Sequence, residues 1–110
     1  MTTFDPHKLA EQYLQHGADW ANKNAAADLL EESRKQLRSQ IALKYLGEGA
    51  SVAKAEMLAE ATKEYADHIR AMVEARRVSN VARVQVDADR AFIDLVRSQE
   101  SSRRAEMNMR

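Results

Sequence analysis

LGEGAS, residues Leu46–Ser51, is the stretch on which the fold turns. It holds two of the chain's three glycines, and the single proline is far away at position 6. A glycine takes the left-handed conformation that ends a helix without a Cβ penalty, and Gly47 is placed to do so. Ser51 is placed to cap the helix that follows. A connection this short makes the helices on either side antiparallel neighbours.

Outward from the turn, nearly everything reads as helix. Ala, Leu, Glu, Gln, Lys and Arg dominate, and all favour helix. The first helix has a well-formed start. Asp5 is a capping residue, and Pro6 follows at the first helical position, where its missing N–H costs nothing. Phe4 and Leu9 are spaced for a hydrophobic staple. The apolar positions Leu9, Tyr13, Trp20, Leu30, Leu37, Ile41 and Tyr45 then recur near the helical period. Gly17, Asn22 and Asn24 weaken propensity between His16 and Asp28, which leaves a kink or break open there. The second helix carries Leu58, Ala61, Tyr65, Ile69 and Met72, then Val78, Val81, Ala88, Phe92 and Leu95. The expected organisation is one all-α domain over 1–110: helix one about 6–46, turn 47–51, helix two about 52–97, and a frayed tail 98–110. Equal counting back from the turn sets Arg90 opposite His7.

This antiparallel hairpin has an apolar surplus. Between Val78 and Val96 the apolar side chains cover more of the helical wheel than one neighbour shields. Two helices also offer little core for their surface. Self-association is therefore expected, most simply a homodimer forming a four-helix bundle or coiled coil. The nineteen alanines agree, since small side chains let helices approach closely. Trp20, Val78, Val81, Phe92 and Leu95 are the expected oligomer interface, with Trp20 as its anchor.

The segment RRVSNVARVQVDADRAFIDLVRSQESSRR (Arg76–Arg104) repeats arginine every seventh residue: Arg76, Arg83, Arg90, Arg97, Arg104. With Val78, Gln85 and Phe92 at heptad position a and Val81, Ala88 and Leu95 at d, these arginines fall at f, away from the seam. Asp87 and Asp94 are interleaved three and four residues away, which predicts an ion-pair ladder from Arg83 to Arg97 on a solvated face. The less neutralised arginines are Arg76, Arg77 and Arg83, with Arg103 and Arg104 nearer the end. They are the candidate nucleic-acid contacts. Formal net charge is zero, which disfavours a dedicated nucleic-acid binder.

Other chemistry is sparsely supplied. There is no cysteine, so disulfides and thiolate metal sites are excluded. Glu64, Asp67 and His68 do not have the spacing of a bundle metal site, and a surface salt bridge or hydrogen bond is the expected role of His68. No phosphate loop, nucleophile triad or paired-carboxylate cleft is present, so no catalytic residue, cofactor or metal is assigned. No apolar run is long enough to span a membrane and no secretory signal is read, so a cytoplasmic, non-enzymatic protein is expected.

GEGASVAKAEMLAEATKEYADHI (Gly47–Ile69), the alanine- and arginine-rich helix after it, and VRSQESSRRAEM (Val96–Met107) are similar to a loosely defined class of small all-helical proteins encoded by bacteriophages and prophages. The resemblance covers residues 44–107. It implies an accessory role in recombination or replication and carries over no functional residue. The residues themselves favour a homo-oligomeric hairpin that binds a protein partner. An accessory DNA-binding protein is the alternative.

Overall fold

The computed structural model describes residues 5–109, and these residues are all-α, with no strand among them. The elements are α1 (Pro6–Gly47), α2 (Val52–Glu60) and α3 (Lys63–Asn108). Their contacts fall in two compact units. One joins the chain's ends, through Ala21 and from Asn80 onward; the other is Asn22–Ser79.

α1 begins as its sequence dictates. The His7 N–H donates to Asp5 Oδ1 at 2.9 Å, and the Leu9 N–H donates to the Asp5 carbonyl at 3.2 Å. The proposed staple partner Phe4 lies outside the described residues. The helix continues through Gly17 without a break. Tyr13, His16 and Trp20 on either side are half-buried, and that packing outweighs the roughly 1 kcal/mol cost of a helical glycine.

The turn forms where expected, but the other glycine makes it. Gly47 is the last residue of α1, and Gly49 takes the positive φ of 97°. The Ala50 N–H donates to the Tyr45 carbonyl and the Gly49 N–H to the Leu46 carbonyl, both at 3.1 Å. This pair of bonds is a Schellman motif with Gly49 at C′. Ser51 then caps α2, its Oγ accepting from the Lys54 N–H at 3.3 Å.

The single second helix expected over 52–97 is instead two helices. Thr62 divides them, and its hydroxyl faces both ways. It donates to the Ala59 carbonyl at 2.7 Å and accepts from the Tyr65 N–H at 3.2 Å. A threonine hydroxyl that satisfies a helix start competes with continuation of the backbone ladder. The tail expected to fray after Arg97 is helical to Asn108, although every residue of it is exposed.

In the unit Asn22–Ser79, Ala42, Ala55 and Ala59 are buried near the turn, with Ile41, Tyr45, Leu46 and Ala50 packed around them. Order along the two sides is antiparallel: Arg38 reaches Glu60, Leu30 meets His68, and Asp28 meets Arg76. In the other unit, Tyr13 bonds Arg90. Arg90 therefore lies against Tyr13 rather than the expected His7.

The buried set is small throughout: Ala27, Ala42, Ala55, Ala59, Ala82, Val86 and two polar residues, Ser79 and Asp89. Along α3 the inward positions are Ser79, Ala82, Val86, Asp89, Ile93 and Val96, spaced three and four apart. The seam expected at Val78, Val81, Ala88, Phe92 and Leu95 is one position off. Val81, Phe92 and Leu95 face solvent, with Leu95 53% exposed.

Gly49→Ala is expected to destabilise the fold by about 1–2 kcal/mol, the cost of forcing a Cβ into the left-handed region. Gly47→Ala is expected to be neutral or stabilising by up to about 1 kcal/mol. Urea unfolding of the two variants measures both.

Candidate interaction site

The true seam changes the placement of the arginines. With Ser79, Val86 and Ile93 at a and Ala82, Asp89 and Val96 at d, Arg76, Arg83, Arg90 and Arg97 fall at e, beside the seam. Two of them reach across it. Arg76 Nε and Nη2 donate to Glu31 Oε1 and Oε2 at 2.9 and 3.0 Å. Its Nη1 donates to Asn24 Oδ1 at 2.7 Å, and Nη2 also donates to Asp28 Oδ1 at 2.6 Å. Bidentate pairing of this kind fixes geometry as well as charge. These bonds raise the Arg76 pKa, and the bond from Arg76 holds Glu31 below the usual carboxylate range.

Arg90 spans the seam in the other unit. Its Nε and Nη2 donate to Tyr13 Oη at 3.3 and 3.2 Å. The expected ladder is not closed: among the described residues no ion pair joins Arg83, Asp87, Arg90, Asp94 and Arg97 within 4.0 Å. Hydrogen bonding to Tyr13 raises the Arg90 pKa first, with Asp87 and Asp94 adding weaker attraction through space.

Next to Arg90, Asp89 sits inside the seam, only 5% exposed. Gln12 Nε2 donates to Oδ1 at 2.8 Å and His16 Nδ1 donates to Oδ2 at 2.6 Å. Burial opposes ionisation, but the bonds from Gln12 and His16 and the attraction of the imidazole outweigh it, so the carboxyl titrates below its ordinary value. The apolar pattern could not reveal Gln12, His16, Asp89 or Asn24 as seam residues. The available signal was an aspartate at three-four spacing with Val86, Ile93 and Val96.

Of the salt bridge or hydrogen bond expected of His68, it makes the hydrogen bond. Its Nε2 donates to the Leu30 carbonyl at 2.8 Å, while Asp67 pairs with Arg70. No group of three or more potential metal ligands lies together among the described residues.

The candidate nucleic-acid contacts are dispersed in role. Arg76 is consumed by Asn24, Asp28 and Glu31. Arg77 lies on Glu74, three residues back on its own helix, at 2.9 and 2.6 Å. Arg83, Arg103 and Arg104 are exposed. Of the candidate interface residues, Trp20 and Val78 are half-buried, whereas Val81, Phe92 and Leu95 lie on the open side of α3. Trp20 lines a shallow groove with Leu14, Gly17, Ala21 and Val86. No family model matches the sequence, and no curated protein or solved structure matches it either, so the likeness of residues 44–107 to small phage-encoded proteins rests on residue pattern alone.

A depressed Asp89 pKa contributes stability that is complete above the ordinary carboxyl value, about pH 4, and is lost as pH falls through the folded value. Glu31 and Glu74 are lowered too and act with the same sign. The melting temperature is expected to fall between about pH 5 and pH 3. Asp89→Asn is expected to be less stable at pH 7 and to show a shallower acid loss, measured by thermal denaturation across pH.

Proposed function

We propose that this chain is a non-enzymatic interaction protein: a helical hairpin that self-associates, most simply as a two-fold dimer whose four helices form a bundle or coiled coil, and that presents a charged surface to a protein partner. The observation that carries this reading is the outer side of α3. Val84 is 63% exposed, Leu95 53% and Phe92 46%, on a helix whose inner seam is already occupied. Covering such side chains returns about 25 cal/mol per Å² of apolar surface removed from water. A core built mainly of alanines gives the isolated hairpin little burial to spare.

The charged groups support a binding role over a catalytic one. The carboxylate and imidazole of Asp89 and His16 are engaged with each other within the seam, where they fix pairing. No helix is long and apolar enough to cross a membrane. A cytoplasmic setting belongs to the same proposal.

Sedimentation equilibrium from about 1 µM to 500 µM is expected to show a reversible monomer–dimer equilibrium with a dissociation constant in the micromolar range. A folded monomer across the whole series would overturn the reading. The alternative, an accessory DNA-binding protein, draws on Arg83, Arg103 and Arg104, which stay exposed. It predicts DNA binding that weakens steeply with salt and is lost in the triple alanine variant of those arginines. Absence of binding to single- or double-stranded DNA at about 50 mM salt removes it.

A further inference from the structure

The open side of α3 has an internal order that goes beyond the presence of exposed apolar residues. Beginning at Val81 and stepping alternately three and four residues, the positions are Val81 and Val84, Ala88 and Ala91, then Leu95. The same spacing continues through Ser98, Ser102 and Ala105. Every one of these positions is exposed, and none carries a charge. Continued toward the N-terminus at the same spacing, the sequence reads Arg77, Glu74, Arg70, Asp67. Those four are paired among themselves as Arg77–Glu74 and Arg70–Asp67. The strip thus changes from solvated ion pairs to an uncharged seam pattern at Val81, and the uncharged part lies wholly within one compact unit.

We propose that this strip is the contact between two copies of the chain, paired antiparallel along α3 about a two-fold axis close to Phe92 and Ile93. The inference rests on the self-association reading above and names the surface and orientation that carry it. Antiparallel pairing alternates facing layers, and one register sets a large side chain against a small one in three of its four layers, the fourth joining two small ones. Val81 meets Ala105 of the other copy, Val84 meets Ser102, Ala88 meets Ser98, and Leu95 meets Ala91. This is the complementarity that lets facing helices interdigitate without voids. The flanks agree with the same register. Gln85 faces Gln99, Asp87 faces Ser101, and the two copies of Phe92 meet at the axis, an arrangement that favours an offset aromatic pair. One contact opposes it: Asp94 faces its own copy.

The area sets the strength. From Val81 to Ala105 the strip is about 36 Å long on a helix about 10–12 Å across, on the order of 400 Å² in projection per copy. Roughly 800 Å² in total, before the side walls of interdigitating residues, is at the low end for a specific interface. The complex is therefore reversible and concentration-dependent.

The chain has no cysteine, so single introduced thiols report the pairing directly. Under mild oxidation at about 100 µM, Phe92→Cys is expected to form a disulfide-linked dimer. Val84→Cys alone is expected not to link to itself. A mixture of Val84→Cys with Ser102→Cys is expected to give the mixed dimer. In sedimentation, Leu95→Glu is expected to weaken association at least tenfold, with helicity by circular dichroism unchanged because Leu95 lies outside the intrachain seam. Asp94→Asn is expected to tighten it two- to threefold. Self-linking of Val84→Cys, or an oligomer that forms none of these links and tolerates Leu95→Glu, overturns this surface and leaves self-association standing. A monomer at every concentration removes both.

Discussion

A carboxylate held between two helices is costly unless its oxygens find donors and compensating charge. Asp89 has a donor for each oxygen, from Gln12 and His16 on the facing stretch of α1. In the observed alignment that requirement is met on both oxygens. The buried apolar side chains described in its unit are only Ala82 and Val86, and small or single-branched groups of this kind specify register weakly. Alanine contacts thus set how close the helices come, and the polar contacts set where along their length they stop. Arg76 does the corresponding work in the other unit, gathering Asn24, Asp28 and Glu31 onto one guanidinium.

This division explains what the heptad of arginines is for. Arg76 and Arg90 lie beside the seam and bond across it, so they belong to intrachain recognition. Arg77 is paired with Glu74 on its own helix. Of the candidate nucleic-acid contacts, Arg83, Arg103 and Arg104 stay exposed, on a chain whose formal net charge is zero. The cross-seam bonds of Arg76 and Arg90 make electrostatics an alignment device in this protein, and the outer strip of α3 carries no charge from Val81 to Ala105.

The all-helical class, the Asp5 start, the Ser51 cap and the place of the turn were legible because each depends on local chemistry. The details that failed depend on contacts. Gly47 and Gly49 are both able to end a helix, and which one does so is decided by the carbonyls of Tyr45 and Leu46. Thr62 is an ordinary helical residue until its hydroxyl finds Ala59 and Tyr65 at once. α3 carries two interlaced apolar stripes, and periodicity cannot say which of them faces inward. The choice fell to the stripe containing Ser79 and Asp89, the one a hydrophobic template scores lower. The same ambiguity misplaced the arginines by one heptad position. Of the expected interface residues, Val81, Phe92 and Leu95 remain on an open face because the seam they were assigned to lies beside them.

The break at Thr62 separates two helical phases that would otherwise be locked together. In an unbroken helix, adding or removing one residue rotates everything beyond it by about 100° and swings Ala82, Val86 and Asp89 out of the seam. Here α2 ends and α3 begins afresh on Thr62, whose hydroxyl bonds Ala59 behind it and the Tyr65 N–H ahead, so the phase of every downstream residue is reset at that one side chain.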